Sequence, residues 1–201
     1  MSELLTFFQV GFRHIVSFDA LDHILFLLVL AAIYRFRDWR DALWVVSAFT
    51  IGHSVTLALA VTGAVRMPTR LIEFLIPVTI VLTCVENLAV TDRTRAPWGG
   101  RYRPVFAGVF GLVHGAGFAN YLHDLFVDRI AVPLLGFNAG IEAGQIVVLL
   151  VCAGAFVLVD RAMRAAPVPR VSAAPLRARV VMVSAMVAVV ATVWAAQRNP
   201  W

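Results

Sequence analysis

Six stretches of this chain, at about 19–36, 42–64, 71–91, 104–126, 131–159 and 178–197, are long and apolar enough to cross a bilayer. Each such crossing needs about 20 mostly apolar residues in a helix. Little sequence is left between the stretches, so there is no room for a separate soluble domain. A soluble domain also needs a polar shell, and a chain that is 61% hydrophobic and 14% charged cannot supply one. The expected fold is therefore all-α: a polytopic membrane protein, one domain over residues 1–201, built as a bundle of six transmembrane helices. Residues 2–16 (SELLTFFQVGFRHIV) read as a short N-terminal amphipathic helix lying at the interface. They lack the basic start and small-x-small site of a cleaved signal.

The breaks between spans carry their own signals. Arg35, Arg37, Asp38 and Arg40 mark the first, Met67-Pro68 the second, and Ala96-Pro97-Trp98-Gly99-Gly100 the third. Three prolines between Ala165 and Arg177 mark the fifth. There is no lysine, so the net charge of +5 is carried by 17 arginines against 12 acidic residues. Twelve of those arginines fall in or beside the connections after spans one, three and five. The positive-inside rule then puts both termini outside the cytoplasm, in a bacterial inner membrane. In such a chain arginine reports orientation and lipid headgroups, so the bilayer is an expected partner and nucleic acid is not. Cys84 and Cys152 lie inside apolar segments and form no disulfide framework.

Against this background the polar residues inside the spans stand out, because a charge at mid-membrane costs roughly 2.5–3.5 kcal/mol on insertion scales. Asp22 and His23 lie at the start of span one, His53 in the middle of span two and His114 in the middle of span four. Asn138, Glu142 and Gln145 lie in the outer half of span five, spaced to share one helical face. Four spans thus bring imidazole or carboxylate to similar depth, with no arginine at that depth to pair with the acids. Simpler roles exist for single members. Asp19 suits a helix N-cap with Asp22 as its partner, and a lone membrane histidine often only bonds a neighbouring helix. Taken together, the set favours a cation site. Glu86 and Asn87, nearer the cytoplasmic end, suit either an exit station for that cation or an interfacial polar pair. Gly108, Gly111, Gly115 and Gly117 give span four a small face for close helix approach.

Five segments in order, "GFRHIVSFDALDHILFLLVL", "FTIGHSVTLALAV", "VENLAV", "GLVHGAGFA" and "FNAGIEAGQ", resemble the motifs of the HupE/UreJ family of small membrane proteins. The resemblance runs from about residue 11 to 150. It implies a nickel permease or nickel-delivery protein with Asp22, His23, His53, His114 and Glu142 on the polar motif positions. Gly52-His53-Ser54 also resembles the Gly-His-Ser of the larger nickel–cobalt transporter family, whose preceding helix carries His-x4-Asp-His. Here His14 stands three residues too far ahead of Asp22-His23 for that pattern, and it is left out of the expected ligand set.

Imidazoles with a few carboxylates suit borderline divalent ions such as nickel, cobalt or zinc. The expected ligands are Asp22, His23, His53, His114 and Glu142, with Asp19, Ser54, Glu86, Asn87, Asn138 and Gln145 as supporting or pathway residues. Histidine binds a metal only when neutral, so binding should weaken below about pH 6. A permease for that ion is the first reading. An intramembrane zinc hydrolase using the same cluster is the second, with Asp22 or Glu142 as base. A metal that merely clamps the bundle is the third. A homo-oligomer is left open.

Overall fold

The computed structural model describes residues 2–65, 67–91, 96–123, 130–165 and 167–201; the side chains of Asp19 and of residues 119–123 are outside that set. Arg66, Arg93, Arg95 and Arg129, which enter the charge argument, also lie outside it, as do residues 124–126 of the expected fourth span. All regular structure among the described residues is helical. The helices are α1 (Glu3–Val16), α2 (Leu21–Ala31), α3 (Trp39–Val61), α4 (Thr69–Val90), α5 (Arg103–His123), α6 (Ala131–Ala165), α7 (Pro169–Ala173) and α8 (Pro175–Gln197). Four of them are long and apolar enough to cross a membrane: α3 with the turn before it, α4, α6 and α8. The chain is an integral membrane protein.

The first expected span is the one the structure redraws. Helix α2 has only 11 residues, about 16 Å of helix, roughly half the hydrocarbon thickness. It becomes long enough only when taken with α1, from which it is bent by 67° across a short 3-10 turn at Phe18–Ala20. The N-cap position of α2 is Ala20, while the Asp19 side chain lies outside the described set. Nor does α1 stand apart from the bundle. It packs lengthwise and parallel along the first half of α6, with Leu4 beside Gly136 and Phe8 beside Gly140. A Cβ on Gly140 would stand 2.1 Å from the Phe8 carbonyl oxygen, so only glycine permits this approach.

A second pair is built in the same way. Helices α3 and α5 run parallel in close contact, and a Cβ on Gly111 would stand 2.1 Å from the Phe49 carbonyl oxygen. Helices α2, α4 and α8 fill in around the two pairs.

The ends of the helices sort into two groups. The end of α2 meets the end of α4 where Asn87 Nδ2 donates to the Val29 carbonyl (2.6 Å). Arg103, at the start of α5, pairs with Glu86, which also accepts from the Tyr102 hydroxyl, and donates to Asn87 Oδ1 (2.8 Å). Arg179, near the start of α8, pairs with Asp160 near the end of α6 (2.6 Å). At the opposite end Trp201, just after α8, packs on Phe74 near the start of α4. Helices α2, α3, α4, α5, α6 and α8 therefore alternate in direction.

Arg179 shows how one buried charge organises that end. Its guanidinium donates to the carbonyls of Ala32 (3.1 Å) and Tyr34 (2.8 Å), which follow α2 and lack helical partners. Removing one member of a buried ion pair strands the other, typically at about 3–5 kcal/mol. Arg179→Ala is thus expected to lower the unfolding midpoint of detergent-solubilised protein by several degrees, followed by static light scattering on heating; an unchanged midpoint would contradict this role.

Candidate functional site

His23 lies in the first turn of α2, where the chain leaves the bend. Asp22 Oδ1 accepts the backbone N–H of His23 (2.8 Å) and faces its ring Nδ1 at 3.0 Å. With Nδ1–H donating to the carboxylate, Nε2 carries the lone pair. That Nε2 is buried and has no partner among the described residues. At His114 the assignment comes from Thr79. The Thr79 hydroxyl donates its one hydrogen to the Ile76 carbonyl (2.7 Å) and lies 3.0 Å from His114 Nε2. It can therefore only accept from that ring, so Nε2 carries the hydrogen and Nδ1 the lone pair. Nδ1 of His114 is likewise buried and unpartnered. Both ring nitrogens of His53, and Nε2 of His14, are in the same state.

These four rings gather around His23. Ring centroids lie 4.9 Å from His23 to His14, 5.2 Å to His114 and 6.2 Å to His53. They come from α1, α2, α3 and α5, so the cluster exists only when the bundle is assembled. His53 and His114 are 0% and 1% exposed, out of reach of bulk water. Buried polar nitrogens nearly always have partners, so unpartnered ring nitrogens on neighbouring side chains call for a donor or a cation. Among the described residues no three His, Cys, Asp or Glu side chains stand ready spaced as a metal shell. The arrangement is a gathering of donors, still open.

Phenylalanines close the cluster on one side. Phe26 is three residues past His23, while Phe49 and Phe110 are each four residues before His53 and His114. Given the helix directions, all three lie towards the Arg103 and Arg179 end. Phe26 meets Phe49 at 4.8 Å and Phe110 at 6.4 Å between ring centroids. All three are buried, and they form an apolar plug beneath the imidazoles.

Of the five expected ligands, Asp22, His23, His53 and His114 come together. Glu142 does not join them among the described residues: its Oε1 accepts from Ser47 Oγ at 2.5 Å. Ser47 is six residues before His53, about 9 Å along the helix axis, so this carboxylate lies beside or past the plug. Gln145 accepts from Thr50 (2.7 Å), and Asn138 has a buried Oδ1 with no partner among the described residues. Among the described residues Ser54 bonds its own helix alone, to the Thr50 carbonyl. Glu86 and Asn87 are engaged by Arg103, Tyr102 and Val29. The residue left out was His14. The extra residues between it and Asp22 are taken up by the turn and bend between α1 and α2, which fold it back onto His23.

A family model described as HupE / UreJ protein matches residues 1–198. The chain belongs to the HupE/UreJ family. HupE/UreJ proteins are generally connected with nickel and cobalt transport. The match takes in the whole of α1, and also α7 and α8, which lie beyond the motif segments. No curated protein and no solved structure matches the chain.

Proposed function

We propose that this HupE/UreJ protein is a permease for a divalent transition-metal ion of the nickel or cobalt class. The observation that carries the reading is the convergence of four imidazoles from four helices, with five buried ring nitrogens lacking partners among the described residues. Asp22 both orients His23 and offsets part of the ion's charge. His14, His23, His53 and His114 replace its hydration shell, and Asn138, Glu142 and Gln145 line the way onward. A transported ion must also leave, and donors from several helices without a closed shell suit release. A catalytic zinc needs three protein ligands fixed together, which the open spacing does not favour.

The alternating helix directions support six crossings, with α1 and α2 jointly forming the first. The arginine distribution supports an inner-membrane setting with both termini outside. The imidazoles then face the periplasmic half, and the phenylalanine plug separates them from the cytoplasm.

The direct test is flux: purified protein in liposomes, with nickel added outside and a trapped metal-sensitive dye, should give saturable entry absent from empty liposomes. Lack of entry with correctly inserted protein would overturn the reading. The plug has its own test. Phe110→Ala is expected to raise the initial rate of entry several-fold, at a stability cost of about 3–5 kcal/mol. Phe110→Leu, which keeps most of the volume, should fold normally and show a smaller rise. Rates at or below wild type in both variants would remove the plug from the account.

A further inference from the structure

At the arginine-rich end of the bundle a cavity of about 750 Å³ opens between the end of α2, the start of α3, the second half of α6 and the α7–α8 connection. It is separate from the imidazole cluster, which shares none of its lining residues. Its walls are mainly apolar, formed by side chains such as Leu43, Ile146, Leu150 and Val157. Arg35, Arg164 and Arg177 belong to its lining and are solvent-exposed. Among the described residues none of these three guanidinium groups has a carboxylate partner. The one acid in the lining, Asp160, is already held by Arg179. Phe36 and Trp39, 71% and 53% exposed, stand at the same rim, where aromatic side chains mark the boundary between lipid tails and headgroups.

The geometry points to a binding site for an anionic phospholipid, its phosphate on Arg35, Arg164 and Arg177 and an acyl chain in the cleft. Charge and shape select this occupant together. A free phosphate would use the arginines and leave the apolar walls wet, whereas a neutral lipid would fill the cleft and leave three cations unanswered. The volume falls within the range of about 300–1,000 Å³ typical of small-molecule pockets. Basic residues between helices at a cytoplasmic membrane face are suited to such headgroups. The lipid would bridge α3 and α6 to the α7–α8 segment, filling the gap that the protein leaves there.

Native mass spectrometry of the delipidated protein in detergent tests this, with phosphatidylglycerol and phosphatidylcholine added in equal amounts. Phosphatidylglycerol should be retained in preference. Each arginine near a lipid surface is worth about fivefold in affinity, so Arg35→Gln, Arg164→Gln and Arg177→Gln together should weaken binding about a hundredfold. Ala153→Trp, which fills the cleft and leaves the charges in place, should also weaken it. Equal retention of both lipids, phosphatidylglycerol binding unmoved by the triple replacement, or equal competition by inorganic phosphate or an acidic peptide would each overturn the site. Unfolding midpoints recorded on the same samples separate loss of the lipid from loss of the fold.

Discussion

His53→Ala is expected to abolish nickel accumulation by cells expressing the protein, while the protein remains in the membrane at normal amount. His53 is 0% exposed and neither ring nitrogen has a partner among the described residues, so no hydrogen bond of the fold depends on it. The fold therefore loses mainly packing against Phe49 and Phe137. On the proposed reading, the ion loses a ligand. Even residues that only orient a metal ligand are worth about 10–100-fold in affinity, and a direct ligand should exceed that. Asp22→Asn should be milder than Asp22→Ala, because the amide oxygen still accepts from His23 and only the charge is gone. Ser54→Ala is the control: its hydroxyl bonds the carbonyl of its own helix, and uptake should persist. Accumulation per inserted protein, measured by elemental mass spectrometry, decides. Equal accumulation by wild type and His53→Ala would remove His53 from the path.

Gly111→Val should have the largest effect on the fold. Its first added carbon would lie 2.1 Å from the Phe49 carbonyl oxygen and 3.0 Å from the His53 backbone nitrogen, both backbone atoms that cannot rotate away. Helices α3 and α5 would have to separate, and with them His53 and His114. Overpacking in a dense interior commonly costs about 1–3 kcal/mol, and a clash of backbone against Cβ should exceed that range. The expected result is little or no folded protein on solubilisation, seen as loss of the monodisperse peak in size-exclusion chromatography. Gly154→Ala is the counterpart: nothing lies within 4 Å of its added carbon, and it should behave as wild type. Normal yield from Gly111→Val would mean that the pair is looser than described.

Much of this was legible from spacing alone. The all-helical membrane fold followed from the apolar runs, and the meeting of His23, His53 and His114 from where those residues stand within the runs. The glycines of α5 marked a close approach, and α3 is the helix that makes it. Two things were hidden. The first span was read as one straight run from residue 19, but hydropathy does not register a bend, and α1 is too polar and short to be read as a span by itself. The same bend hid His14: it stands three residues too far from Asp22-His23 for the His-x4-Asp-His spacing, and the turn at Phe18–Ala20 lies between the two helices whose bend brings its ring to His23. Glu142 failed in the opposite way. Its helical face was read well enough, since Glu142 and Gln145 do both face α3. Depth along a long, crossing helix is coarser than a turn, and Ser47 holds the carboxylate below the rings. Arg103 and Arg179 were counted only as orientation signals. Nothing in a linear sequence tells a buried, paired guanidinium from one at the lipid surface.

The central claim is that imidazoles from separate helices meet one ion. X-ray absorption at the nickel edge, on purified protein loaded with nickel, reads those ligands directly. Wild type should show a mixed nitrogen and oxygen shell with the outer-shell scattering characteristic of imidazole, and His14→Ala and His53→Ala should each lower that contribution. An all-oxygen spectrum, the same in wild type and both variants, would contradict the account.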